Sequence, residues 1–161
     1  MVYRHLGTLR VPRNAIRNFE RAQAYLGKDP EALQILDRLE NAHHKYAVRI
    51  VDNGNDRFDS STRTIYWDPH SALRTTAGGK QSPALGLLHE EDHAYENDVA
   101  PHKQLRLQAQ HVARYDDAEE RRVITGVEAR AARILGESAR HDHRGTLYKV
   151  KDPALCRAFV V

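Results

Sequence analysis

The sequence predicts an α+β fold, and three observations lead there. Two alternating, β-branched stretches stand together in the chain, flanked on both sides by stretches with helical spacing of apolar residues. A proline-initiated segment in the middle carries two histidines four residues apart. A long helical stretch downstream carries carboxylates among apolar residues. The expected architecture is a small antiparallel sheet packed on the histidine-bearing helix and on a second, ligand-bearing helix.

The elements follow in chain order. Residues 12–26 set Ile16, Phe19, Ala22 and Leu26 on one helical face, ending near Gly27. Asp29-Pro30 restarts a helix as N-cap and first-turn proline, with Leu33, Leu36 and Leu39 as its stripe. The stretch "YAVRIVD" at 46–52 reads as a strand, and Asn53-Gly54-Asn55-Asp56 signals a turn. A second strand, "RTIYWD", at 63–68 is expected to close a hairpin with the first across a long loop. Tyr66 and Trp67 are expected in the core. Residues 69–81, with Gly78-Gly79, read as irregular loop. Ser82-Pro83 opens a helix over 82–97, and a short polar helix is expected at 103–114. Asp116 or Asp117 caps a long helix through Leu135 that Gly136 closes, and "TLYKV" at 146–150 reads as a last strand. With no repeat, low-complexity tract or linker, residues 1–161 are expected to form one domain. Its N-terminal part, 1–45, should be helical, and 46–150 should hold the chemistry.

Composition narrows the function. Hydrophobic residues make up 40% and charged residues 29%, as in a globular protein, and no apolar run approaches the roughly 20 residues that cross a bilayer. The opening "MVYRHLGTLRVPRNAIRNF" has no apolar signal-peptide region. Cys156 is the only cysteine, so an intramolecular disulfide and a cysteine-based zinc site are both excluded. The 25 Lys and Arg against 22 Asp and Glu leave a net charge of only +3, with acids interleaved. That pattern does not suggest nucleic-acid binding.

Residues 89–93 read His89-Glu90-Glu91-Asp92-His93, an H-E-x-x-H pattern. On a helix, positions i and i+4 lie one above the other, so two imidazoles can bind one zinc ion. Glu90, beside the first ligand, is placed to take a proton from a zinc-bound water. Zinc lowers the pKa of such a water from about 15.7 to about 7. Ala84, Leu85, Leu87, Leu88 and Ala94 give this helix an apolar flank to bury, whereas the run of acids would also suit a solvated face.

A catalytic zinc takes three protein ligands and a water. Positions 96 and 99 are Glu96 and Val99, so the extended three-histidine motif is missing and a glutamate is favoured as the third ligand. Histidine candidates remain at His102, His111, His141 and His143, and carboxylate candidates at Glu119, Glu120 and Glu128. Glu128 is the first choice. It sits mid-helix among Ile124, Val127, Ala131 and Ala132, where an unpaired buried carboxylate is costly. Glu120, the second choice, has another reason to exist: Asp117-Ala118-Glu119-Glu120 looks like a capping box. Gly126 would suit a close approach of this helix to the histidine helix.

Taken together, "TIYWDP", "SPALGLLHEEDHAYEN" and "EERRVITGVEARAARILGESARHDHRG" resemble the small gluzincin-type zinc endopeptidase effectors and toxins of bacterial type III, type VI and Rhs-type systems. His89, Glu90, His93 and Ala94 match that family's H-E-x-x-H-A element. Glu119 or Glu120 with Val123, and Glu128, match its glutamate-bearing helix. Gly136 and Arg140 match its G-x-x-x-R segment, while Ala129 and His143 depart from its pattern. The resemblance spans about 65–145. It implies a minimal zincin-like fold, with "RTIYWD" as an edge strand holding an extended substrate. It implies bound zinc, with Arg140 and His143 as candidate stabilisers of the oxyanion formed on peptide cleavage. It further implies a protein or peptide substrate, a cognate immunity protein, and delivery from the producer's cytoplasm into a target cell without a signal peptide. Two other functions stay open: a phage-type regulatory protease, and a binding module whose zinc is structural or absent.

Overall fold

The computed structural model describes residues 1–157. The protein is α+β; its described residues form one five-stranded sheet, a three-stranded sheet and a short hairpin. Among the described residues, no helix is long and apolar enough to cross a membrane.

The chain opens not with helix, as expected of 1–45, but with a hairpin, β1 (Tyr3–Leu6) and β2 (Leu9–Pro12). Its tight turn needs Gly7, at φ +61, whose missing Cβ would strike the Glu40 carbonyl. Helices α1 (Ile16–Leu26) and α2 (Pro30–Glu40) follow as expected. Asp29 caps α2, its side chain accepting from the Glu31 amide at 3.0 Å.

The central sheet corrects the expected antiparallel hairpin. β3 (Tyr46–Ile50) and β5 (Thr64–Trp67) pair in parallel, with Val48 opposite Ile65. The turn after β3 leads instead into β4 (Arg57–Asp59), which pairs antiparallel with β5, Phe58 opposite Ile65. The strand order is β1-β2-β3-β5-β4, so β5 is interior and β4 is the edge. "RTIYWD" is therefore no edge strand. Trp67 is fully buried, its indole donating to the Pro83 carbonyl at 2.8 Å. Tyr66 is half-buried, with the Arg57 guanidinium 3.9 Å from its ring centroid.

The expected loop at 69–81 contains β6 (Ser71–Arg74) and β7 (Lys80–Gln81). They form a second sheet with β10 (Thr146–Lys149), Leu73 opposite Leu147.

Helix α3 (Pro83–Val99) runs through the centre, against α1, α2, β4 and β5. It is buried on every side, so its acids are not a solvated face. Glu91 and Asp92 are 0% and 2% exposed. Both find partners, as does Asp98 further along: Gln23 donates to Glu91, Arg122 pairs with Asp92 at 2.8 Å, and Arg38 pairs with Asp98 at 2.7 Å. Helix α4 (Pro101–Gln108) is shorter than expected, because β8 (His111–Val112) and β9 (Asp116–Asp117) follow it.

The long downstream helix comes in three parts: α5 (Ala118–Val123), a π turn (Ile124–Glu128) and α6 (Ala129–Leu135). Gly136 ends it at φ +72, and the Glu137 amide reaches back to the Ala132 carbonyl at 2.8 Å. Gly126 lies exposed in the π turn, and a Cβ there would meet nothing within 4 Å. It is not a close-approach glycine.

Candidate metal centre

Local chemistry fixes α3 at its start. The Ser82 hydroxyl accepts from the Leu85 amide at 3.2 Å and donates to Glu137 at 2.8 Å, and Pro83 occupies the first helical position. Two turns on, His89 and His93 are 3% and 5% exposed. Their rings meet edge to face, with centroids 4.8 Å apart. The two Nε2 atoms stand 3.1 Å apart.

The glutamates arrive from the opposite helix. Asp117 caps α5 by accepting from the Glu120 amide at 2.8 Å. Capping uses only the Glu120 backbone, so its side chain is free to point at α3. Glu120 Oε2 lies 2.9 Å from His89 Nε2, and Oε1 lies 3.2 Å from His93 Nε2. His89, His93 and Glu120 thus offer three ligand atoms that all lie within 4.8 Å of one another.

Glu128, the first choice from sequence, sits elsewhere. Its Oε2 is 2.7 Å from Nδ1 of His89, the far edge of that ring. Its other oxygen accepts from Gln81 at 3.0 Å and from Arg140 at 2.7 Å. The helix that carries both glutamates is not regular. Over eight residues an α-helix turns through about 800°, leaving Glu128 about 80° from Glu120. The residue added by the π turn takes back about 100°. Both carboxylates then face α3, at different depths.

Sequence reasoning missed the matching role of Glu119. Its Oε1 is 3.1 Å from Nδ1 of His93, and Arg122 holds it at 2.7 Å. Each imidazole is therefore gripped at Nδ1 by a carboxylate that an arginine grips in turn. An Nδ1–H donated to a carboxylate leaves the Nε2 lone pair for a metal, a pattern found around metal-bound histidines. The spacing fits too. Ligand atoms 2.0–2.1 Å from a tetrahedral zinc stand about 3.3 Å apart; here the two Nε2 atoms are 3.1 Å apart, and one atom from each of the three residues lies within 4.8 Å of the others.

The electrostatics point to a cation. Burial opposes charge on both rings, yet Glu120 and Glu128 together raise His89 to about 10, and Glu119 and Glu120 raise His93 to about 9. Burial likewise opposes ionisation of the acids and is outweighed. His89 and Arg140 bring Glu128 down to about 2, Arg122 and His93 bring Glu119 down to about 2, and Glu120 is held far below the usual carboxylate range by both histidines. The carboxylates hold positive charge at the Nε2 pair, as protons or as a metal ion.

A cleft of about 510 Å³ opens beside the cluster, with Asp56, Leu73, His89, Glu90, Arg140 and Leu147 in its wall. Glu90 is 7% exposed, and burial raises its pKa, with the two histidines opposing. His143 stands over the cluster. Its ring stacks on His89 at 6.1 Å, and its Nε2 is 3.4 Å from Glu120 Oε2. Asp116 holds its Nδ1, and the His143 amide donates to the Arg114 carbonyl at 2.7 Å. Arg114 and Asp116 both adopt positive φ, +75 and +70, a strained hairpin that aims Asp116 at His143. Arg140 borders the cleft with its guanidinium engaged twice by Glu128, at 2.7 and 3.0 Å. It is built into the histidine support, not left free as a donor.

In comparisons with known protein families, with curated proteins and with solved structures, this chain matches none.

Proposed function

We propose that this protein is a zinc-dependent endopeptidase. One observation carries the reading: His89, His93 and Glu120 converge on one point beside a cleft into which Glu90 faces. A zinc bound there would supply Lewis acidity and make water a nucleophile at neutral pH. Glu90 takes the proton of the attacking water and passes it to the departing amine, and such proton transfer contributes about 10²–10⁴-fold. His143, on the same side of the cluster, donates to the developing oxyanion. Arg140 keeps Glu128 on Nδ1 of His89. The exposed edge β4, whose residues Arg57 and Phe58 border the space beside Glu90 and His93, offers main-chain groups to an extended substrate.

The likeness to zincin-type effectors supports a target-cell protein as substrate, and a minimal zincin-like fold and an immunity partner would follow from it. A structural zinc site is the second reading, favoured by His143 at 3.4 Å from Glu120. Against it, among the described residues the group of mutually close ligand atoms comprises three residues, the number a catalytic zinc takes beside a water.

Zinc-loaded wild type and Glu90→Gln, incubated with denatured casein, test the reading. The wild type should release fragments and the variant should not, at equal zinc content. A wild type holding one equivalent of zinc that cleaves nothing would overturn it. Expression of both in bacterial cytoplasm and periplasm tests the effector role, with Glu90-dependent growth arrest as the expected outcome.

A further inference from the structure

Asp56 has an unusual setting. It precedes β4, and its carboxylate lies over the α3 backbone one turn before Glu90. A Cβ added at Gly86 would come 3.1 Å from its Oδ2. Its Oδ1 accepts from the Asp68 amide at 2.7 Å. The neighbouring acid, Asp68, is paired with Lys149 at 3.1 Å, whereas among the described residues Asp56 forms no ion pair with a Lys or Arg. The charges of Glu90 and Asp68 push its carboxyl up, and His89 opposes them. Burial is the largest influence and the Asp68 amide works against it. Together with those acids, it pushes the carboxyl up to about 8. A carboxyl so placed gains from an incoming cation.

Two aliphatic side chains stand in the same cleft wall, among polar and charged ones. Leu73 and Leu147 face each other across the β6–β10 pair, and both line the same cavity as Asp56. Gly54 completes that side, with no room for a side chain: a Cβ there would come 2.5 Å from Leu147. The cleft thus sets an aliphatic pair in the same wall as Asp56, a half-buried acid, whereas its other acids, Glu90 and Glu128, lie on the histidine side. Lysine and arginine have the matching shape, an aliphatic stem with a charged head. Arg140 is committed to Glu128, and Arg144 stands exposed where it borders the cavity.

We propose that Asp56 is a specificity-determining residue of the cleft, receiving the cationic head of a substrate lysine or arginine whose stem lies along Leu73 and Leu147. As a statement about substrate it rests on the endopeptidase reading, and it deepens that reading by naming the side chain selected.

The test separates the two. Nα-acetyl-lysine amide, Nα-acetyl-norleucine amide and norleucine amide with a free amine are titrated into zinc-loaded protein and followed by amide chemical shifts. Acetyl-lysine amide should bind at least tenfold more tightly than acetyl-norleucine amide. Asp56→Asn, which keeps an acceptor for the Asp68 amide, should bring the two within about twofold. Leu147→Ser, at a half-exposed position, should weaken the lysine probe without inverting the order. Equal affinities in the wild type, or a preference surviving in folded Asp56→Asn, would overturn the proposal. Selective binding of the free-amine probe alone would also overturn it, showing a site for a chain terminus. Cleavage of a peptide library is then mapped. Fragments with no enrichment of Lys or Arg beside the cut would sink the proposal while leaving the endopeptidase standing. Lysine-selective binding with no cleavage at all would do the reverse.

Discussion

Glu128 lies against the Nδ1 edge of His89 at 2.7 Å, while the other nitrogen of the same ring faces Glu120 at 2.9 Å. One imidazole therefore separates a carboxylate suited to bind metal from a carboxylate suited to orient the ring. Glu119 repeats the second role on His93. This division ranks the acids by their effect on metal affinity.

Glu120→Ala should lose zinc most severely, since it removes one of three ligands. Glu128→Gln and Glu119→Gln should each weaken binding about 10–100-fold, the usual effect of disturbing a group that orients a ligand. Arg140→Lys should fall with Glu128→Gln, because a lysine cannot reproduce the two-pronged contact. Competition against a chelating dye orders them. Zinc retained by Glu120→Ala but lost from Glu128→Ala would reverse the assignment.

Glu91 should make stability depend on pH. It is fully buried, burial pushes it up to about 8, and its Oε2 has no hydrogen-bond partner among the described residues. A folded-state pKa above the ordinary carboxylate value means that the folded protein holds the proton more tightly. Stability from this group is then complete below about pH 4.5 and is lost as pH rises towards 8. Glu91→Gln keeps an acceptor for Gln23 and removes the ionisation. Its Tm should match wild type near pH 4.5 and exceed it by several degrees at pH 8–9, at about 2–4 °C per kcal/mol. A Tm difference that does not grow with pH would show Glu91 to be ordinary.

The two N-caps should behave differently. Ser82→Ala and Asp117→Ala each remove a cap, a loss of about 0.5–2 kcal/mol. Ser82 also ties the start of α3 to Glu137, about two turns before His89, so its variant should melt lower with zinc affinity unchanged. Asp117 holds the turn that carries both Glu119 and Glu120, so its variant should lose stability and zinc affinity together. Thermal melts paired with metal titrations distinguish them, and equal zinc affinity in both would deny that the cap positions the ligands.

What could be read from sequence was local. Asp29-Pro30, Ser82-Pro83, Asp117 and Gly136 mark helix ends through chemistry that involves a few neighbouring residues, and all four act as expected. The histidine pair was legible for the same reason. The parallel pairing of β3 with β5 was not, because it depends on β4 returning between them in the chain. The β1–β2 hairpin left a signal in Leu6-Gly7-Thr8-Leu9 that a helical reading passed over. The capping-box pattern ranks Glu120 second to Glu128, but a residue can receive a cap through its amide and still send its side chain elsewhere. The π turn was invisible to a 3.6-residue period, and it decides where Glu128 ends.

Removing one residue from that turn tests its role. The π turn spans Ile124–Glu128, and Gly126 within it is exposed with open space around it. Deleting Gly126 should restore a regular α-helix and rotate everything after it by about 100° relative to α5. Glu119 and Glu120 precede the turn and should stay on the histidines. Glu128 should leave Nδ1 of His89 and break with Arg140. Helix content by circular dichroism should hold, while zinc affinity falls at least tenfold and the cobalt-substituted protein shows altered visible bands. Gly126→Ala is the control. It keeps the residue count, meets nothing within 4 Å, and should stabilise the helix by about 0.5–1 kcal/mol with zinc affinity unchanged. A deletion variant that binds zinc as tightly as wild type, with unchanged cobalt bands, would show that the π turn is not what positions Glu128 on His89.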